Sequence, residues 1–149
     1  GKMDREYSEE GEVPLFELVA LIYKAVDFHS LKKQHDLTKT QFLILAALYH
    51  SGTLNMTKIS EYISSSKEQA TRSVSPLADR GLLTRVEHPD NRKHVYLELT
   101  DEGRELVVKL RDELRQRFRE RVDASLSPEE KEALLSSART LTALLTKLR

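Results

Sequence analysis

A helical rhythm sets in after Pro14. Leu15, Leu18, Val19, Ile22, Val26 and His29 recur at steps of three and four, the spacing that lines one face of a helix. The pattern predicts a helix from Pro14, a residue suited to the first helical position, to about His35. Residues 1–13 carry no such period and read as a frayed tail. A second helix opens at Thr38-Lys39-Thr40-Gln41, where Thr38 and Gln41 can satisfy each other's free backbone donors in a capping box. Phe42, Leu43, Leu45, Ala46, Leu48 and Tyr49 then place apolar groups nearly all round. That is the pattern of a helix buried at a domain centre, and Ser51-Gly52 ends it. A short helix follows from about Met56 to Ser64, with Asn55 as its cap. After Ser64-Ser65-Ser66, another capping box, Ser66-Lys67-Glu68-Gln69, opens a helix with Ala70, Val74 and Leu77 inward. Gly81 closes it.

Beyond Gly81 the period changes. Leu83-Thr84-Arg85-Val86-Glu87 and His94-Val95-Tyr96-Leu97-Glu98-Leu99 partly alternate and hold β-branched and aromatic residues. Pro89-Asp90-Asn91-Arg92-Lys93 between them has a turn composition, so the segment predicts a β-hairpin. Thr100 then caps a long helix through Val122, with Leu106, Leu110, Leu114, Phe118 and Val122 at every fourth place. Ser127-Pro128-Glu129-Glu130 starts the last helix. Leu134, Ala138, Leu141, Leu145 and Leu148 along it form a heptad seam. Two adjacent helices joined by a tight polar turn, then a hairpin, describe a helix-turn-helix with a wing. The fold class is therefore mainly α with a small β-hairpin wing, a winged helix-turn-helix plus N- and C-terminal helices.

One position cuts across this order. Pro76 falls inside the helix opened by Ser66 and has no amide for the Arg72 carbonyl. In an ideal helix that costs about 3 kcal/mol, so a kink or an irregular last turn is expected there.

Composition narrows the function classes. The chain of 149 residues is long enough for one domain with a core of its own. The longest apolar run, Phe42 to Tyr49, falls well short of the ~18 residues of a membrane span. The acidic, polar start does not read as a secretory signal, and Gly1-Lys2 ahead of Met3 read as a cloning remnant. With no cysteine there is no disulfide or thiolate metal site, which fits a reducing cytoplasm. No cofactor motif, catalytic triad or metal-ligand spacing stands out, so neither an enzyme nor a metal site is expected. Net charge is zero, which argues against a nucleic-acid binder unless the charges are segregated. From Ser66 to Lys93 the bases Lys67, Arg72, Arg80, Arg85, Arg92 and Lys93 exceed the acids Glu68, Asp79, Glu87 and Asp90 by two. Farther on, Arg111, Arg115, Arg117, Arg119 and Arg121 are interleaved with Asp112, Glu113 and Glu120 and read as a solvated helix face.

The stretch from Leu54 to Val107 resembles the MarR family of transcriptional regulators. The resemblance rests on an Ile-Ser pair in the first short helix and on Ser-Lys at the next helix start. It continues through Leu77, Gly81-Leu82-Leu83, the wing Pro89-Asp90-Asn91-Arg92-Lys93, and Leu99-Thr100-Asp101-Glu102-Gly103. With its flanking helices it covers nearly the whole chain. It implies one domain of that family, with dimerisation helices at 14–35 and 104–149 around a winged helix-turn-helix lobe at 36–103. It also implies an effector-responsive, cytoplasmic homodimer, most often a repressor, that binds a pseudo-palindromic operator in double-stranded DNA. The leucine seam of the last helix supports pairing independently, because a single small domain would struggle to cover it; an intramolecular bundle is the other reading. A winged-helix protein-interaction module without DNA is the rival function, and near-neutral charge favours it slightly.

Roles follow for individual residues. Ser66, Lys67, Gln69 and Arg72 are expected along the groove-facing side of the recognition helix. Gln can read adenine, and Arg or Lys can read guanine, through paired hydrogen bonds; for Lys67 and Arg72, plain phosphate contact is an equal alternative. Glu68 is expected outward, capping the helix rather than touching DNA. Arg92 is the candidate for minor-groove insertion, Asp90 for bracing the wing beside it, and Lys93 and His94 for phosphate contact. Tyr23 and Tyr49 suit either an effector pocket for an aromatic or phenolic molecule or plain core aromatics with surface hydroxyls.

Overall fold

The computed structural model describes residues 15–87 and 94–148. Along the chain run α1 (15–26), α2 (His29–His35), α3 (Lys39–Ser51), β1 (Thr53–Asn55), α4 (Met56–Tyr62) and α5 (Lys67–Asp79). Then come β2 (Leu83–Val86), β3 (Tyr96–Leu99), α6 (Asp101–Ser125) and α7 (Pro128–Thr146). The chain forms two compact units, one from Asp27 to Leu114, the other from the segments through Val26 and from Arg115 onward.

The first unit is built on α3. Thr38 Oγ1 accepts from the Gln41 amide, and Gln41 Oε1 accepts from the Thr38 amide, so the expected capping box closes. Phe42, Ile44, Leu45, Ala47 and Leu48 are buried, along with Gln41 itself. Gln41 remains satisfied because its Nε2 donates to the Ser73 carbonyl on α5 at 3.3 Å. Leu31, Leu37, Ile59, Ala70, Leu77, Leu97, Val107 and Leu110 complete the core.

The helix expected from Pro14 to His35 is two helices. Asp27 adopts φ +57, a left-handed conformation that Asp tolerates better than most residues. Ser30 then donates to the Asp27 carbonyl from both its amide and its hydroxyl and starts α2. No Gly or Pro marks this break, and the apolar rhythm runs through it.

The hairpin pairs antiparallel with Leu83 opposite Leu99 and Val86 opposite Tyr96. Residues 88–93 lie outside the described residues, and with them Asp90, Arg92 and Lys93. A third strand, β1, was not expected. It pairs with β3, Leu54 facing Leu97, so the sheet order is β1-β3-β2.

The end of α5 is fixed by a backbone motif. Gly81 at φ +73 lets its own amide reach the Ala78 carbonyl and the Leu82 amide reach the Leu77 carbonyl, the double bond of a left-handed helix stop. Leu82 then accepts from the Thr100 amide. Thr100 Oγ1 donates to the Gly81 carbonyl at 2.7 Å and accepts from the Gly103 amide at 3.0 Å. One hydroxyl thus caps α6 and ties its start to the end of α5. Pro76 leaves α5 helical through Asp79, and the Pro76 carbonyl accepts from Arg80.

In the other unit, Ser127 and Glu130 close the capping box that starts α7. Arg121 donates from one nitrogen to the Lys24 and Ala25 carbonyls at the end of α1. None of the residues of α7 is buried. Leu134, Leu135, Leu144, Leu145 and Leu148 stay exposed, as do Leu15, Phe16, Val19, Leu21 and Ile22 on α1.

Candidate nucleic-acid interface

Helices α4 and α5 meet across a short turn, Ile63 followed by three serines, residues 63–66. Ser64 takes φ +52 there, and the Ser65 amide reaches back to the Ser60 carbonyl. Ser66 caps α5 by accepting from the Gln69 amide at 3.1 Å. The second arm of the expected capping box does not form. Instead, Gln69 Oε1 accepts from the Ser65 hydroxyl at 2.9 Å. The first amides of any helix have no intrahelical partner and favour an anion.

Burial of Ala70, Val74 and Leu77 fixes how α5 is turned. At about 100° per residue, Glu68, Arg72, Ser75 and Asp79 fall opposite that buried stripe. All four are exposed. Lys67 and Thr71 occupy one flank, Gln69 and Pro76 the other, and each is exposed. Lys67, Glu68, Thr71 and Arg72 line one open depression.

Lys67, Gln69 and Arg72 are therefore all exposed but point along different lines, Arg72 outward and the other two to the flanks. Glu68, set aside on sequence grounds as a capping residue, stands beside Arg72 at the centre of the outward face. Ser66 does the capping, and among the described residues none bonds to the Glu68 carboxylate. Thr71, whose hydroxyl donates to the Lys67 carbonyl, is a further exposed polar group the sequence reading passed over. Only the wheel angle given by the buried stripe reveals these two.

Of the other expected contacts, His94 is exposed just before β3. Arg85 is exposed on β2. Arg80, counted as a basic group of this face, is engaged elsewhere. Its guanidinium donates to the His35 and Asp36 carbonyls at 3.0 and 3.1 Å, capping the end of α2. Beside it, the Lys32 ammonium hydrogen-bonds Asp36 at 2.6 Å and holds its carboxyl below the usual carboxylate range.

Tyr49 is half-buried on α3, with the Arg111 guanidinium 5.5 Å from its ring centroid and the His50 ring edge-on. Tyr23 lies on α1 in the other unit and is 41% exposed. Among the described residues, no group of three or more His, Cys, Asp or Glu side chains is placed to hold a metal ion.

A half-buried helix pair presenting the N-terminal half of its second helix, followed by a small sheet, defines the winged helix-turn-helix class of DNA-binding proteins. The profile of the MarR family matches residues 37–95. The uncharacterized HTH-type transcriptional regulator YkoM of Bacillus subtilis (strain 168) is 29% identical over 132 residues, 87% of this chain and 85% of that one. YhbI, another HTH-type regulator of that organism, is 30% identical over 97 residues, 64% of this chain and 63% of its own length. The fold matches that of apo wild-type MarR from E. coli, with a TM-score of 0.77 at 18% identity, covering 86% of this chain and 96% of that one. NadR in complex with 4-hydroxyphenylacetate gives a TM-score of 0.70 at 25% identity, covering 91% and 89%. Residues 37–95 are thus similar to the MarR family, and the relatives' description as transcriptional regulators supports a DNA-binding regulator.

Proposed function

We propose that this regulator works in the cytoplasm as a homodimeric repressor on a pseudo-palindromic operator, with a small aromatic or phenolic effector releasing it. The observation that carries the dimer is the bare leucine face of α7, where Leu134, Leu135, Leu144 and Leu145 are 38–55% exposed, with Leu148 just beyond the helix 77% exposed. A soluble chain rarely leaves so contiguous an apolar surface open, and a heptad seam is self-complementary between identical helices. Two-fold pairing would present two α5 helices to successive major grooves, about 34 Å apart.

On α5, Lys67, Gln69 and Arg72 serve the groove, and Ser66 caps the helix toward phosphate. Arg92 serves the minor groove, braced by Asp90, with Lys93 and His94 on phosphate. Support for an effector comes from NadR, a relative at 25% identity that was crystallised with 4-hydroxyphenylacetate. Tyr49, on α3 beside Arg111 and His50, is the residue proposed to meet such a molecule.

The test is titration of the chain with its own promoter region across salt, beside sedimentation of the free protein. A dimer neutralising roughly eight phosphates gives log K a slope near −7 against log salt. Arg72→Ala lowers operator affinity about tenfold. A stable monomer, or binding indifferent to salt, would refute the proposal.

A further inference from the structure

The outward centre of α5 carries a carboxylate, and a carboxylate facing DNA must be explained. Glu68 stands on the same line as Arg72, opposite the buried Ala70, Val74 and Leu77. It is the one acid in the first turn of α5. The i, i+4 spacing from Glu68 to Arg72 would permit an ion pair, yet none forms among the described residues, and Lys67 does not pair with it either. The cap is supplied by Ser66. The carboxylate is therefore exposed and has no hydrogen-bond donor from this chain among the described residues.

Inside a major groove such a group is repelled by phosphate and has one favourable class of partner, an amino group on a base edge. Cytosine N4 donates there and is the donor a carboxylate reads. Arg72 lies about 6 Å farther along the helix axis, within two base-pair steps of about 3.4 Å each. A guanidinium at that place suits guanine O6 and N7. The two side chains present an acceptor and a donor fork in succession, which matches a G·C-containing step. A helix-dipole role alone would account for an acid in the first turn, but it predicts no base preference.

We propose that Glu68 is a specificity-determining residue that accepts a hydrogen bond from cytosine N4 at one position in each operator half-site. The proposal rests on the DNA-binding reading of α5. The same carboxylate disfavours unrelated sequence, where it would meet phosphate or an acceptor edge.

The test is selection from a pool of random-sequence duplexes by the full-length protein, followed by competition binding with every single base substitution in the selected half-site. The wild type is expected to favour cytosine about tenfold at one position. Glu68→Gln, whose amide suits adenine, is expected to move the preference at that position to adenine. Glu68→Ala is expected to erase it, while raising affinity for an unrelated duplex several-fold at low salt. Profiles unchanged in both variants, with operator binding intact, would overturn the proposal and leave the DNA-binding reading standing. Failure of the wild type to select any sequence would overturn both.

Discussion

Substituting Gly103 by Ala sets two effects of opposite sign against each other. Gly103 occupies the first turn of α6 and is buried. On helix propensity alone, alanine there would stabilise the chain by about 1 kcal/mol. Its β-carbon, however, would fall on the Leu82 carbonyl oxygen, 2.9 Å from the carbonyl carbon and 3.3 Å from the Cα. The obstacle is backbone, so no rotamer change relieves it. Nor is Leu82 free to withdraw. Its amide donates to Leu77, its carbonyl accepts from Thr100, and Gly81 before it accepts from the Thr100 hydroxyl. Overpacking costs about 1–3 kcal/mol where neighbours can move. Here it also breaks at least one hydrogen bond worth about 0.5–1.5 kcal/mol net. Against the propensity gain, Gly103→Ala should destabilise by about 2 kcal/mol. For a chain of this length that lowers the melting temperature by about 4–8 °C. Urea unfolding should show a lower midpoint at unchanged slope. A variant as stable as the wild type would mean that α6 does not approach Leu82 as described.

Two further outcomes follow from the same unit. Arg80→Ala removes both bonds to the end of α2 and should lower stability by about 1 kcal/mol, the low value reflecting its exposure. Arg80→Lys should recover part of that in urea titration, and a silent Arg80→Ala would contradict the strap. Asp36 should titrate below an ordinary aspartate, because Lys32 favours its charged form. Since the folded value is the lower one, this pairing contributes stability above the unfolded value and loses it as pH falls through the folded value. Lys32→Gln should raise the Asp36 midpoint in a carboxyl-carbon NMR titration, and an unmoved midpoint would rule the pairing out.

The fold was legible where one local signal sufficed. The boxes at Thr38 and Ser127 form as read, and Gly81 stops α5, because caps and left-handed stops depend on a few neighbouring residues. The break at Asp27 was hidden because an aspartate in the left-handed region leaves no signature that Gly or Pro would. Strand β1 was hidden because its three residues are fixed by pairing with β3, a tertiary contact. The box at Ser66 misled for a further reason. A capping motif says which bonds are possible, and Ser65 competes for the same glutamine oxygen. Within the site, residue types pointed to the recognition helix, but which cations face outward depended on packing. Arg80 and Arg72 are alike in sequence, and only the fold turns one onto backbone carbonyls and leaves the other exposed.

That difference bears on how a chain of zero net charge can serve as a DNA-binding regulator. With Arg80 engaged, the exposed charges of α5 are Lys67 and Arg72 against Glu68 and Asp79, an even balance. Nonspecific attraction to phosphate, which scales with the cations brought to the backbone, is accordingly weak on this helix. On α5 itself, what remains comes from fixed geometry, while the phosphate contacts proposed for Lys93 and His94 lie off this helix. α5 is held at mid-length through Gln41 to Ser73, at its end through Arg80 to α2, and just beyond through Leu82 to Thr100. Rolling α5 to hide its carboxylate or to bring forward another cation would break these three tethers. The helix gains from base edges that match its arrangement and is penalised by those that do not, so the even charge balance favours discrimination between sequences over general adhesion to DNA.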